Sequence, residues 1–176
     1  LDEHYLSHFD YLDVDSVIQE QKAFGACQDV TLEYPVAENE GEEDNTYLSY
    51  NMVVGNAADS QMAMAFEVLD YALLSAPGAP LKQALLDVKA GKDVYGSYDD
   101  GILQPYFTVI AKGSNPDRKE EFVSVIRQVL GDIVKNGIDR KAVEAGINYF
   151  EFRYREADFS SYPKGLMYSL DILGDW

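Results

Sequence analysis

Two histidines near the start of the chain have the spacing of a zinc-binding helix. His4 and His8 lie four residues apart in the run His4-Tyr5-Leu6-Ser7-His8, so on an α-helix both side chains would project from one face. The inverted zinc motif H-x-x-E-H matches this run except at the glutamate, which is Ser7 here. Zinc hydrolysis needs a carboxylate to take a proton from metal-bound water, and an unactivated serine hydroxyl cannot do so. The pair is interpreted as two ordinary surface histidines, with adventitious metal binding as the alternative.

The rest of the sequence contains no pattern that assembles an active site. Cys27 is the only cysteine, so an internal disulfide and a thiolate zinc cage are excluded. Without a nearby histidine it is interpreted as a small buried hydrophobic residue. The sequence has no G-x-S-x-G and no G-x-G-x-x-G, and Ala90–Asp93 lacks the upstream glycine and the Ser/Thr of a P-loop. We expect no catalytic residue, no metal ligand and no cofactor in this chain.

The charge balance narrows the class of partner. Fourteen Lys+Arg against thirty-one Asp+Glu give a net charge of −17. Such a surface repels nucleic acid and anionic lipid and attracts basic peptides. On the charge alone, the favoured interpretation is that it only keeps the chain in solution. No run approaches the roughly 20 apolar residues of a membrane-spanning helix. Nucleic acid and membranes are therefore excluded as expected partners.

Apolar periodicity and turn residues predict the elements that must position any site. We expect a strand hairpin, two helices, a second hairpin and three helices, after a short amphipathic helix at the start. The first half is predicted to contain a helix over 1–15, strands over 29–36 and 46–55 around an acidic turn at 38–44, and helices from 59 or 60 and over 81–88. The second hairpin has strands over 93–99 and 104–112 around a tight Asp100-Gly101 turn. The last three helices run from Asn115-Pro116 to Gly137, from Asp139, and after Pro163. Paired hairpins with helices between them predict an α+β fold, an antiparallel sheet backed on one face by helices.

Five segments, in order along the chain, carry a family resemblance. They are Ser75–Leu85 (SAPGAPLKQAL), Gly91–Tyr98 (GKDVYGSY), Lys112–Pro116 (KGSNP), Glu151–Glu156 (EFRYRE) and Ser161–Leu166 (SYPKGL). Together they resemble the non-catalytic second domain of presequence proteases, which are zinc metallopeptidases of the insulinase/pitrilysin clan. The resemblance implies a metallohydrolase-like α+β half-domain over residues 16–176. Residues 1–15 resemble the last helix of a preceding catalytic domain, so we expect a fragment of a longer chain.

The resemblance also implies a role without catalysis. In that family four homologous domains form two halves that close around a peptide chamber, and the zinc motif lies in the first domain. The second domain has no metal ligands and forms part of the chamber wall. This implies a chamber-wall and substrate-holding domain whose partners are peptides and the other domains, with a weak homodimer when isolated. The zinc would lie in the parent's first domain, in bacterial cytoplasm or in a eukaryotic organelle matrix.

Relatives that degrade insulin hold the substrate's N-terminal end at an exosite in this domain. The matching positions are Pro77, Gly78, Val94, Tyr95 and Gly96. An edge strand there would pair with an extended peptide. In the equally weighted alternative, the Pro-Gly pair only ends a helix and the valine only packs. A second class of function also stays open, because the clan includes catalytically dead members that act as stand-alone structural or interaction proteins.

Overall fold

A computed structural model describes residues 1–37, 41–156, 159 and 161–175. Its first strand begins at Thr46. Three strands and five α-helices follow, which we number in chain order. They are β1 (Thr46–Val53), α1 (Ser60–Asp70), α2 (Pro80–Asp87), β2 (Asp93–Asp99), β3 (Tyr106–Ser114), α3 (Lys119–Asn136), α4 (Arg140–Glu156) and α5 (Lys164–Asp175). Short 3-10 turns at Leu6–His8 and Pro116–Arg118 and a π-helical turn at Tyr71–Ser75 complete the list.

The strands form one antiparallel sheet in the order β1-β3-β2. Leu48 on β1, Ala111 on β3 and Val94 on β2 lie opposite one another and are buried. Since side chains alternate along a strand, this row marks the sheet face that carries the core. Side chains of α2 and α3 complete the same hydrophobic cluster, including Leu81 and Phe122. The predicted α+β fold, with an antiparallel sheet backed by helices, is confirmed.

Local signals explain where the helices begin and end. The Asp59 carboxylate accepts the N–H of Met62 at 3.0 Å and caps α1. At its other end α1 widens into the π-helical turn, in which Ala76 N–H donates to the carbonyl of Tyr71 at 2.7 Å. Gly137, with φ of +86°, ends α3 in a conformation that favours glycine. α4 forms an outer layer and contacts α1 and the π-helical turn.

The helix predicted over residues 1–15 is wrong. The structure has turns over residues 2–5 and a single 3-10 turn at Leu6–His8, and no helix between Phe9 and Asp15. All residues from 1 to 37 are exposed. An isolated helix of this length is marginal in water because most helical stability comes from packing an apolar face, and this segment finds no face to pack against. The assignment of residues 1–15 to a preceding domain stays a prediction.

The first predicted hairpin is also wrong. Residues 29–36 form no strand, and β1 pairs instead with β3. Part of the acidic turn, residues 38–40, lies outside the described residues.

The two ends of β3 also differ from the sequence predictions. The β2–β3 register places Asp99 opposite Tyr106, so a six-residue loop, 100–105, replaces the tight Asp100-Gly101 turn. Asn115 does not cap a helix with its side chain. Its amide instead bonds Asp44, accepting the backbone N–H at 2.9 Å and donating to the carboxylate at 2.7 Å, so it joins the turn before β1 to the end of β3.

Candidate functional site

The residues with zinc-like spacing do not form a metal centre in the structure. His4 lies in a turn and His8 ends a 3-10 turn, and both side chains are exposed. The hydroxyl of Ser7 donates to the carbonyl of Glu3 at 3.0 Å. Cys27, expected to be buried, is exposed. Across the described ranges, no group of three or more His, Cys, Asp or Glu side chains is placed to hold a metal ion.

The five candidate exosite residues fall on two neighbouring elements. Pro77 and Gly78 are exposed in the turn before α2, and Gly78 has φ of +74°. Val94, Tyr95 and Gly96 lie on β2, an edge strand of the sheet. Val94 is fully buried in the core, whereas the Tyr95 side chain lies on the opposite face and is 39% exposed.

An ion pair holds the turn and the strand together. The amine of Lys82, on the helix that follows Pro77-Gly78, lies 3.1 Å from the Asp93 carboxylate at the start of β2. This hydrogen bond is the main cause that holds the pKa of Asp93 below its ordinary value. The structure therefore places α2, and with it the Pro-Gly turn, against the beginning of the edge strand.

The hydrogen-bond alternation of the sheet identifies the backbone groups on the outer edge of β2. Val54 N–H donates to the carbonyl of Pro105 at 2.8 Å, so odd-numbered residues of β3 bond toward β1 and even-numbered ones toward β2. In the β2–β3 register the even-numbered β3 residues lie opposite Tyr95 and Ser97. The N–H and C=O groups of the even-numbered β2 residues must therefore point away from the sheet.

Those outward residues are Val94, Gly96 and Tyr98. The Val94 N–H is already occupied, because it donates to the Asp93 carboxylate at 2.8 Å. For Gly96 and Tyr98, the part of the chain that the structure describes supplies no backbone partner at this edge. The edge thus offers two consecutive outward-facing residues with the spacing of a β-ladder.

Gly96 has a packing role that requires the absence of a side chain. A Cβ at this position would lie 2.7 Å from Asp70 Oδ1 and 2.8 Å from the carbonyl oxygen of Thr108, and it would also clash with Leu74 Cδ1. Glycine inside a strand often marks such a close approach. Here it lets the end of α1 and the π-helical turn press directly on the strand backbone.

Sequence reasoning missed Asp70, which sits where α1 becomes π-helical. Its Oδ2 accepts the hydroxyl of Ser75 at 3.1 Å, while its Oδ1 is buried without a hydrogen-bond partner among the described residues. Burial raises the pKa of this carboxyl group, and the Ser75 hydrogen bond partly opposes that rise. A carboxylate near a helix end normally suggests a solvated group, so Asp70 by itself gave no sign of burial. The available signal was Gly96, because a glycine inside a strand often marks a close approach of another element.

The sheet face that does not carry the core contains a network of polar side chains. Thr108 donates to the side-chain carbonyl of Asn51 at 2.6 Å, and Ser49 donates to the same oxygen at 3.0 Å. Tyr106 donates to the Asp99 carboxylate at 3.1 Å. This face thus combines a hydrogen-bonded network of hydroxyl and amide groups with the exposed side chains of Tyr47, Val53 and Tyr95.

Comparison with known proteins decides the family. The family model of the peptidase M16 inactive domain matches residues 3–150. The chain belongs to this family. The predicted resemblance to the non-catalytic domain of presequence proteases is confirmed. The family model describes an inactive domain, which agrees with the lack of an active-site pattern in the sequence.

Similar proteins are much longer than this M16 inactive domain. Protein HypA from Clostridium perfringens is 42% identical over 176 residues, which are 100% of this chain and 18% of HypA. Presequence protease 1, chloroplastic/mitochondrial, from Arabidopsis thaliana is 29% identical over 163 residues, or 92% of this chain and 15% of that protein. The chain therefore spans less than a fifth of these relatives.

A solved structure shows the same fold. The inactive peptidase domain of a candidate zinc protease from Bordetella parapertussis superposes with a TM-score of 0.61 at 14% identity, covering 72% of this chain and 69% of that one. Within the described residues, no helix of this M16 inactive domain is long and apolar enough to cross a membrane.

Proposed function

We propose that this M16 inactive domain forms part of the wall of a peptide chamber and holds an extended peptide at the outer edge of β2. The observation that carries the proposal is the pair of outward backbone groups at Gly96 and Tyr98 on an edge strand. Adding a peptide strand to a sheet edge supplies affinity through main-chain hydrogen bonds and leaves the side chains to set specificity.

The charge and layering of the domain support this role. Its helices pack against the other face of the sheet, so the exposed Ser49 and Asn51 can line an enclosed space. A net charge of −17 favours basic peptides over acidic ones. Longer relatives are named presequence proteases, so we place the zinc and the catalytic step in other domains of a longer chain.

Exposed apolar helix faces support contacts with those other domains. Leu166 and Leu170 on α5 and Phe152 on α4 are about half exposed or more. Apolar faces of this kind mark interaction surfaces. The same faces would let the isolated chain form a weak dimer, which sedimentation at increasing concentration would detect. A stand-alone interaction protein remains the competing proposal, and a parent chain without H-x-x-E-H upstream of Leu1 would favour it.

Amide hydrogen exchange tests peptide holding directly. Tyr95 and Ser97 face β3, so their N–H groups are already protected in the free domain. An extended basic peptide at β2 should slow exchange at Gly96 and Tyr98 and leave Tyr95 and Ser97 unchanged. A Tyr95→Pro substitution is a poor probe, because it removes a bond of the domain's own ladder.

A matched peptide supplies the control. The same peptide with every second backbone nitrogen methylated, on the side that would face β2, cannot donate to the ladder. It should give no protection at Gly96 or Tyr98. Equal protection by both peptides, or none by either at saturating concentration, would show that β2 does not hold peptide by strand addition.

A further inference from the structure

A cavity lies between the π-helical turn and α4. Its volume is about 360 Å³, and a water molecule takes only about 30 Å³ of the liquid, so a long side chain fits inside. The cavity is lined by residues from the end of α1, the π-helical turn and α4: Asp70, Tyr71, Ser75, Tyr149, Phe150 and Arg153. It therefore combines a carboxylate and a hydroxyl with three aromatic rings and one guanidinium.

The carboxylate of Asp70 has no ion-pair partner among the described residues. Its Oδ2 accepts the Ser75 hydroxyl, and its Oδ1 is buried without a hydrogen bond. The guanidinium of Arg153 lies instead over two aromatic rings, those of Tyr149 and Phe150, at 5.9 Å from each centroid. A carboxylate that is partly removed from water and left unpaired is destabilised, so a cation that enters the cavity gains by pairing with it.

The aromatic wall favours a compact cation over a flat one. The rings of Tyr71 and Tyr149 are stacked with their centroids 4.8 Å apart, and Arg153 already engages Tyr149 and Phe150. An arginine guanidinium binds best to a free ring face or to a bidentate partner, whereas a lysine ammonium is a point charge on a flexible alkyl stem. The stem can pack along aromatic surface while the ammonium reaches a single carboxylate oxygen. The net charge of −17 offsets the repulsion from one guanidinium.

The same carboxylate connects the cavity to the edge strand. A Cβ at Gly96 would lie 2.7 Å from Asp70 Oδ1, so Asp70 lies beneath β2 on the face that carries the core. Residues that pair across neighbouring strands project their side chains to the same face, with Cβ atoms roughly 4.5–5.5 Å apart. A peptide residue paired with Gly96 at the outer edge would therefore project its side chain toward the face on which Asp70 lies.

We propose that the cavity is a subsite for a lysine side chain, carried by the peptide residue that pairs with Gly96. The lysine ammonium donates to Asp70 Oδ2 and to the hydroxyl oxygen of Ser75, and its alkyl stem lies along Tyr71. The inference rests on the proposed holding of peptide at β2. It adds a side-chain preference to main-chain hydrogen bonds that are blind to sequence.

Three short threonine-rich peptides that differ only at the central residue test the subsite. That residue is lysine, arginine or norleucine, which keeps the stem of lysine without its charge. Calorimetry should show the lysine peptide binding at least about tenfold more tightly than the norleucine peptide, and more tightly than the arginine peptide. Equal affinity of the lysine peptide and either other peptide, with the Gly96 amide protected from exchange by both, overturns the subsite and leaves peptide holding intact. If no peptide protects Gly96, the proposed function fails and the subsite with it.

Two protein variants locate the preference, read as the ratio of lysine-peptide to norleucine-peptide affinity. Asp70→Asn keeps the shape of the side chain and removes its charge, so the ratio should fall close to one. Glu120→Gln removes the same charge from an exposed position at the start of α3 and should leave the ratio unchanged. The norleucine peptide reports any general damage to the edge. A ratio that survives in Asp70→Asn, or that falls equally in both variants, overturns the subsite, because the preference then comes from the net charge of the domain.

Discussion

Replacing Gly96 by alanine should test the close approach between the π-helical turn and β2. The added Cβ would stand 2.7 Å from Asp70 Oδ1 and 2.8 Å from the carbonyl oxygen of Thr108, and against Leu74. The leucine can rotate, but the carbonyl belongs to the central strand and cannot move without disturbing the β2–β3 ladder. Overpacking a well-filled site costs about 1–3 kcal/mol. Because one obstacle is backbone, we expect the upper half of that range for Gly96→Ala, about 2–3 kcal/mol.

A matched substitution separates packing from the general effect of removing glycine. At Gly131, inside α3, an added Cβ meets nothing within 4 Å. Alanine there should stabilise the protein by about 0.5–1 kcal/mol, because glycine weakens a helix interior. In a chain of this size the melting temperature should fall by about 4–12 °C for Gly96→Ala and rise by about 1–4 °C for Gly131→Ala.

Urea unfolding followed by circular dichroism would supply both free energies of unfolding, with the slope m as a check on the unfolded state. If Gly96→Ala is as stable as the natural protein while Gly131→Ala behaves as expected, the end of α1 does not press on β2. The packing role assigned to Gly96 would then be wrong.

Three further substitutions follow from other contacts. Burial has raised the pKa of the Asp70 carboxyl group, so this group stabilises the fold fully below the unfolded pKa of about 3.9 and loses that contribution as pH rises through the folded pKa. Asp70→Asn should therefore gain stability relative to the natural protein as pH rises from 3 to 7. A gain independent of pH would contradict this. Burial first, and then the hydrogen bond to Glu67, raise the pKa of Tyr154 to about 12; Glu67→Gln should lower it in a spectrophotometric titration, and an unchanged curve would refute the contact. Gly146→Ala should cost at most about 1 kcal/mol in urea unfolding, because its Cβ would lie 3.2 Å from a Val68 methyl and 3.3 Å from the Val68 carbonyl oxygen, while alanine favours the helix interior; a cost equal to that of Gly96→Ala would contradict this.

Local signals in the sequence were sufficient for most of the fold. Asp59, one of the two residues at which α1 was predicted to begin, caps that helix, and Gly137 ends α3 as predicted, because caps act on neighbouring backbone groups. β2 and β3 were placed within two residues of their bounds. The partner of β1 could not be predicted locally, since it lies beyond two helices and another strand.

The candidate site was predictable as an edge strand, but the direction of each of its backbone groups was not. The sequence placed Val94–Gly96 on β2, whereas the direction of each backbone group depends on the register with β3. That register is set by packing across the whole sheet. The burial of Asp70 was not predicted for a related reason. It depends on a contact between a helix end and a glycine 26 positions later in the sequence.

The central position of β3 has a consequence for how the chain folds. Its ladder with β2 closes only the loop 100–105, whereas its ladder with β1 must close residues 54–105, with α1 and α2 inside. Loop-closure entropy grows with length, and distant pairing slows folding. We therefore expect the β2–β3 hairpin to form the early nucleus and β1 to dock after the transition state. Destabilising changes in β1 would then speed unfolding and leave the folding rate almost unchanged.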